Sequence, residues 1–294
     1  MSPGHTSPNS DIPGVTYLSR DPALPRPHIG VLGSVHGDEE CGVEAIRDLL
    51  RRGEAGELAL GVGTMVLIHG NPEASALGTR STEGGADINR ILDFDWVTTL
   101  PRDQWTSEHH RAVALRPVLE DVDVLLDLHS ASKETPAFGI VNAVPRSLEV
   151  AKRLGVGFVV HSWGELSPKV TIGVLQRGER PGISVECGQH HDPQTNARAL
   201  DITERFLRYV GALEGEEPAL TEVIELEVEE ILKKPSPAFR FARPLLGMER
   251  LDAGELVGTD GTIDFRLEKT RWAILPNEGA AVGGDLLYLA KEAG

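Results

Sequence analysis

The chain reads as an α/β protein: a mixed, mostly parallel central sheet flanked by helices, followed by a smaller all-β domain. Three observations predict it. The apolar runs 29–35, 64–69 and 122–128 are near-continuous rather than alternating, as strands covered on both faces are. Segments of helical period come between such runs. After Gly215 the pattern changes: Ile224, Leu226 and Val228 alternate with Glu225, Glu227 and Glu229, the period of a half-exposed strand. The expected organisation is a flexible N-terminal segment with an edge strand over 1–27, an α/β domain over 28–215 and a β-rich domain over 216–294.

The elements follow in order. Residues 1–14 are rich in Ser, Pro and Gly, lack the apolar core of a signal peptide and read as a loose tail. A short edge strand is expected at 15–21, and the prolines of DPALPRP then impose a loop. Strand 29–35 ends near Gly37, which permits a sharp turn. Asp38, Glu39 and Glu40 suit the first turn of a helix. That helix is expected from about Glu39 to Arg52, with Val43, Ile46, Leu49 and Leu50 on one face. Strand 64–69 stops at Gly70, Asn71 and Pro72. Residues 73–93 show little apolar period and hold a long polar loop, GTRSTEGGADINR. A helix over 107–120, kinked or restarted at Pro117, leads to strand 122–128 and His129. A helix at 147–154, a strand at 156–160 and a short strand at 183–185, ending at Glu186, come next. Asp192 and Pro193 are an N-cap and first-turn pair. They open a helix to about Leu213, with Leu200, Thr203, Phe206, Leu207 and Val210 on one face.

Composition removes several function classes. The 294 residues carry a net charge of −16 with no basic cluster, which excludes nucleic acid as a partner. No apolar stretch has the length of a membrane span. Cys41 and Cys187 are too few and too far apart for a disulfide framework; each suits a small buried apolar role, and a cytoplasmic setting is expected. There is no G-x-S-x-G elbow and no phosphate-binding loop, which disfavours serine hydrolases and nucleotide enzymes. A homo-oligomer is compatible with everything above.

The residues that carry chemistry sit where strands end. His36 follows a strand and Glu39 lies three residues on, at the sheet edge where open α/β folds bind ligands. A neutral imidazole and a carboxylate are good zinc ligands, although a surface histidine beside capping acids is the plainer reading. His129 ends another buried strand ninety-three residues later. If one sheet holds both strands, His36, Glu39 and His129 supply three ligands and leave a fourth position for water, the pattern of a catalytic zinc site. Asp127 can orient an imidazole, or pair with backbone or an arginine. Glu186, set among apolar residues, is costly to bury without a role or a partner. It can move protons near a zinc-bound water; the alternative is a structural salt bridge. Arg80, Asn89 and Arg90 share the polar loop with Asp87. Two guanidiniums and an amide suit a carboxylate-bearing ligand, the alternative being a loop pinned by ion pairs to Asp87 and Asp93.

GSVHGDEECG, NPEASALGTR, ADINRILD, DLHS and SVECG occur in that order. Together they resemble the succinylglutamate desuccinylase and aspartoacylase family, zinc-dependent amidohydrolases with a carboxypeptidase-like fold. The resemblance covers roughly residues 28–212, and a β-rich C-terminal domain is also typical of that family. It implies that His36, Glu39 and His129 hold one zinc per chain and that Glu186 is the general acid/base. It further implies that Arg80, Asn89 and Arg90 meet a substrate carboxylate. Three departures stand out. Two residues are inserted between Arg80 and Asp87. The place of a further substrate arginine, some ten residues before the acid/base, holds Gln176 with Arg177 beside it. His190 and His191 replace a glycine- and proline-rich stretch. The expected function is zinc-dependent hydrolysis of the amide bond of a small anionic N-acyl amino acid, releasing a carboxylate and an amino acid. The rivals are a carboxypeptidase-like metallopeptidase acting on small peptides and a non-catalytic metal or carboxylate binder; the presence of Glu186 speaks against the latter. The C-terminal β region, which has no histidine, is expected to shape the entrance.

Overall fold

The structure, a computed structural model, describes residues 5–7, 11–161, 163 and 169–294. The first strands are β1 (His5–Ser7), β2 (Val15–Ser19), β3 (His28–Gly33) and β4 (Thr64–His69). The middle ones are β5 (Val124–Ala131), β6 (Phe138–Val141), β7 (Phe158–His161) and β8 (Gly182–Gln189). From the C-terminal region come β9 (Ile224–Lys233), β10 (Arg240–Phe241), β11 (Glu249–Leu251), β12 (Leu256–Thr259), β13 (Asp264–Arg266), β14 (Arg271–Ile274) and β15 (Asp285–Glu292). Twelve of them form one mixed sheet in the order β1-β2-β4-β3-β5-β8-β6-β7-β9-β15-β14-β11. Around the site the pairings β4–β3, β3–β5 and β5–β8 are all parallel, whereas β6 runs antiparallel to β8. The other three, β10, β12 and β13, make a small antiparallel sheet.

The near-continuous apolar runs have the expected cause: both faces of the sheet are covered. Along β4, Met65 and Leu67 join one core while Val66 and Ile68 join another. Val124, Leu126 and Leu128 of β5 likewise separate from Leu125. Helices α1 (Cys41–Glu54) and, after it in the chain, α2 (Pro72–Leu77), α3 (Phe94–Thr99), α4 (Ser107–Asp121), α5 (Pro145–Ala151), α6 (Thr171–Arg177) and α7 (Pro193–Tyr209) flank it. Packing of α1 and α7 closes one face; α3, α4 and α6 cover the other. At the crossing of β3 and α1 the backbones nearly touch, and a Cβ on Gly33 would lie 2.4 Å from the Gly42 carbonyl carbon.

Several boundaries differ from the sequence expectation, each for a reason in the packing. Helix α1 begins at Cys41, so Glu39 stands in the turn before it rather than inside it. Gly37 N–H donates to the Arg80 carbonyl, which holds that turn from outside, and Glu39 N–H donates to the His36 carbonyl within it. The strand expected to stop at His129 continues to Ala131, because β8 continues beside it as far as Gln189. Pro117 does not break α4. Helix α7 ends at Tyr209, four residues early; Gly211 takes φ +83° and the 211–212 carbonyls accept from Gly61 and Val62 instead. Asp192 caps α7 as expected, with Pro193 in its first turn. Strands β1 and β6 and helices α2, α3 and α6 were too short for their periods to show in sequence; because β1 pairs with β2, β2 is flanked on both sides rather than being the expected edge strand, and the tail expected to be loose supplies the edge.

Beyond residue 216 the central sheet does not stop. Strand β9 pairs in parallel with β7, and β15 pairs antiparallel with β9. Phe138, Ile140 and Val160 share a core with Leu226, Val228, Ile274 and Tyr288.

Candidate active site

His36 and Glu39 lie in the turn after β3, and His129 lies on β5, the parallel neighbour of β3. The turn is tight for a steric reason: a Cβ on Gly37 would sit 2.1 Å from the Ala74 carbonyl carbon, so only glycine passes here. Glu39 is buried between the two imidazoles. Its Oε1 is 2.7 Å from His36 Nδ1 and its Oε2 2.8 Å from His129 Nδ1. One ligand atom from each residue lies within 4.8 Å of the others.

The far nitrogen of each ring is held by a second carboxylate. Asp87 Oδ1 is 3.0 Å from His36 Nε2, and Asp127 Oδ2 is 2.9 Å from His129 Nε2. Asp127 also accepts from Ser184 Oγ at 3.1 Å. Both Nδ1 atoms are thus aimed at one point, with carboxylates fixing the tautomers from behind, the arrangement that supports metal-ligating histidines. Sequence reasoning left Asp127 open and missed the part of Asp87 altogether. Nothing in its spacing from His36, fifty-one residues away, could have revealed it.

The electrostatics agree with a site built for a cation. Burial opposes protonation of His129, but Asp127 and Glu39 outweigh it and raise its pKa well above the usual value. His36 is shifted upward likewise by Glu39 and Asp87 against burial. Burial disfavours ionised Glu39, yet the two imidazoles hold its carboxyl well below the ordinary range. Three carboxylates face the two imidazoles, and a divalent ion in place of the imidazolium protons would balance their charge.

Glu186 occupies β8 in register with His129. No salt bridge holds it among the described residues, and its buried Oε2 has no hydrogen-bond partner. Burial first, then the nearby charge of Glu39, pushes its carboxyl up to about 7.

Arg80, Asn89 and Arg90 reach the same cavity of about 900 Å³. Arg80 donates through Nη2 to Asp87 Oδ2 at 2.8 Å and lies 3.6 Å from Glu39, so both the pinned-loop reading and the site reading describe real contacts. The Asn89 side-chain oxygen Oδ1 accepts from Thr171 N–H and Oγ1 at the start of α6, which leaves its NH₂ group for a ligand. Arg90 stands 3.9 Å from Asp285 of β15. Neither Gln176 nor Arg177 borders this cavity. Gln176 accepts from Ala143 N–H, and Arg177 donates to the Leu92 carbonyl. Cys41 and Cys187 are both buried and unoxidised.

Residues 25–212 match the model of the succinylglutamate desuccinylase/aspartoacylase catalytic domain. The chain belongs to this family. The family is one of deacylases, so the protein is placed among hydrolytic enzymes. No curated protein matches the chain. Among solved structures it is similar to a succinylglutamate desuccinylase from Vibrio parahaemolyticus, with TM-score 0.74 and 18% identity, covering 96% of this chain and 86% of that one. It is also similar to a succinylglutamate desuccinylase/aspartoacylase from Rhodobacter sphaeroides (TM-score 0.72, 18% identity, 95% and 89% covered). An aspartoacylase family protein from Mesorhizobium loti aligns over 100% of both chains, with TM-score 0.67 and 20% identity. At these identities the likeness speaks for the fold, including the C-terminal strands. No helix among the described residues is long and apolar enough to cross a membrane.

Proposed function

We propose that this protein is a cytoplasmic zinc-dependent deacylase that hydrolyses the amide bond of a small anionic N-acyl amino acid, releasing a carboxylate and an amino acid. The observation that carries this reading is the convergence of His36, Glu39 and His129 within 4.8 Å, beside a glutamate whose buried oxygen has no partner. The donor set, two imidazoles and one carboxylate with an open side, fits a catalytic zinc. A zinc ion held there would supply a Lewis acid to polarise the amide carbonyl and acidify water.

The chain's own groups supply the rest. Glu186 takes the proton from the attacking water and later delivers it to the departing amine. Its pKa near 7 in the metal-free protein means that it already exchanges protons near neutrality; a bound cation would draw that value down. Arg80 and Arg90 pair with the substrate carboxylate, and Asn89 adds a neutral donor. Asp87 and Asp127 keep the two Nδ1 atoms turned toward the site.

A screen of N-acyl amino acids with the zinc-loaded protein tests the reading. Turnover that is lost on chelation and restored by zinc is the expected result. Hydrolysis of dipeptides with none of N-acetyl or N-succinyl amino acids would replace it with the peptidase reading.

A further inference from the structure

His190 borders the cavity together with Glu186, Arg80 and Ser130, and the chemistry above leaves it unused. Its neighbour His191 is exposed and does not border the cavity. His190 sits where β8 leaves the regular ladder. There β8 advances three residues, Glu186 to Gln189, while β5 advances two, His129 to Ala131, so the strand bulges. Gly188, at φ +132°, makes the bulge possible. Bulges of this kind bend a strand, re-aim a side chain and are over-represented beside active sites. The bend is fixed from both sides. From α7, Arg198 Nη1 donates to the Cys187 carbonyl and Thr195 Oγ1 to the Gln189 carbonyl, each at 2.8 Å. On the β5 side, His190 N–H donates to the Ala131 carbonyl at 2.8 Å.

The imidazole is oriented as well as the backbone. Its Nδ1 lies 2.7 Å from Ser130 Oγ. Ser130 is buried, follows His129 directly and donates its backbone N–H to Glu39 Oε2 at 3.3 Å. The Ser130 hydroxyl has no other partner among the described residues, so it satisfies its hydrogen only by donating to Nδ1. That selects the tautomer with its hydrogen on Nε2, and a protonated ring carries one there too. Nε2 itself has no partner among the described residues. A fixed N–H donor therefore stands at the cavity, linked through Ser130 to the carboxylate that His36 and His129 share.

Resting on the deacylase reading, we propose that His190 is a further substrate-contacting residue: its Nε2–H donates a hydrogen bond to an oxygen of the bound N-acyl amino acid, and Ser130 holds the ring in that orientation. Two kinds of oxygen qualify, that of a carboxylate and that of the scissile carbonyl. The two leave different kinetic marks, because the first contact is made equally in ground and transition states and the second strengthens as charge develops.

The test uses the full-length, zinc-loaded protein and three variants. His190→Phe fills the space without a hydrogen-bonding atom, His190→Gln keeps an N–H donor, and Ser130→Ala frees the ring. The assay substrate is whichever of N-acetylglycine, N-acetyl-L-aspartate, N-acetyl-L-phenylalanine and N-succinyl-L-glutamate wild type turns over fastest. Zinc content and Tm of both His190 variants should stay close to wild type. His190→Phe should raise KM about tenfold with kcat kept if the contact is to a carboxylate. It should lower kcat about 100-fold if the contact is to the carbonyl oxygen. His190→Gln should recover most of that loss, and Ser130→Ala should show a smaller loss in the same parameter. Unchanged kinetics in His190→Phe, equal losses in the Phe and Gln variants, or lost zinc would overturn the contact while leaving the deacylase reading intact. If wild type hydrolyses none of the four compounds, calorimetric binding of the same compounds decides. Binding weakened by His190→Phe keeps the contact and sinks the deacylase reading; binding that is absent, or unmoved by the variant, overturns both.

Discussion

Glu186 is the residue whose chemistry depends most on its surroundings. In the metal-free protein burial and Glu39 raise its carboxyl from 4.5 to about 7. The folded state therefore keeps a proton that the unfolded chain releases between those values, and the residue's contribution to stability falls as pH rises through that window. Metal-free Glu186→Gln should melt above wild type at pH 8, and the gap should close as pH falls toward 4.5; scanning calorimetry at both pH values reads it, and a gap independent of pH would deny the shift. With zinc bound, the same variant should keep metal and fold but lose roughly 10²–10⁴-fold in kcat, since glutamine fills the space without a titratable proton. His36→Ala and His129→Ala each remove one Nδ1 donor and should lose the metal by elemental analysis. Normal zinc in both would sink the ligand assignment. Arg80 is half-exposed and is paired with Asp87 in the absence of ligand. Arg80→Ala should abolish the preference for an N-acyl amino acid over its carboxamide, because the guanidinium discriminates between a carboxylate and a neutral amide; equal rates on the two compounds in wild type would refute carboxylate recognition.

Among the elements, the loop between α2 and α3 matters most, because it carries Arg80, Asp87, Asn89 and Arg90 without regular structure over most of its length. Glu108, fully buried in the first turn of α4, holds it. The carboxylate accepts from Thr82 N–H at 2.7 Å, Thr82 Oγ1 at 3.2 Å, Thr106 Oγ1 at 3.0 Å and Asn71 Nδ2 at 3.4 Å. It thereby ties the end of β4, the arginine loop and the start of α4 together. Glu108→Ala leaves buried donors without an acceptor, which costs on the order of 3 kcal/mol of stability. It should also raise KM more than it lowers kcat, since it loosens the arginines and leaves Glu186 in place. A denaturation curve and steady-state kinetics check both parts; a KM unchanged in a destabilised variant would show that Arg80 is held in place without Glu108.

At the scale of the whole molecule, four strands of the C-terminal quarter, β9, β15, β14 and β11, are part of the sheet that bears the site. Strand β9 covers what would otherwise be the β7 edge, and Leu226, Val228 and Tyr288 complete the core around Phe138 and Ile140. A chain ending at residue 215 should fail to fold, because it exposes both an unpaired strand and an apolar face. Circular dichroism of that truncation is the measurement, and a folded, zinc-binding fragment would reverse the conclusion. The same region contributes Ile231, Leu275 and Tyr288 to the cavity. It therefore lines the cavity without supplying any of the three residues that converge there.

Local periodicity determined the α/β class, seven of the fifteen strands, the longer helices, and the start of α7 at Asp192, because face burial and capping act over a few neighbouring residues. The residue types at strand ends also marked His36, Glu39, His129 and Glu186, since buried charge at such places is costly without a purpose. Only the tertiary structure decided that β3 and β5 are adjacent, and so that two histidines ninety-three residues apart share one carboxylate. It alone placed Asp87 behind His36, turned Gln176 and Arg177 away from the cavity and carried the sheet past residue 216. The physical reason is that an apolar strand presents the same pattern whichever strand it pairs with. Its neighbour is chosen by long-range packing, and that choice is what brings side chains from separate segments to one point.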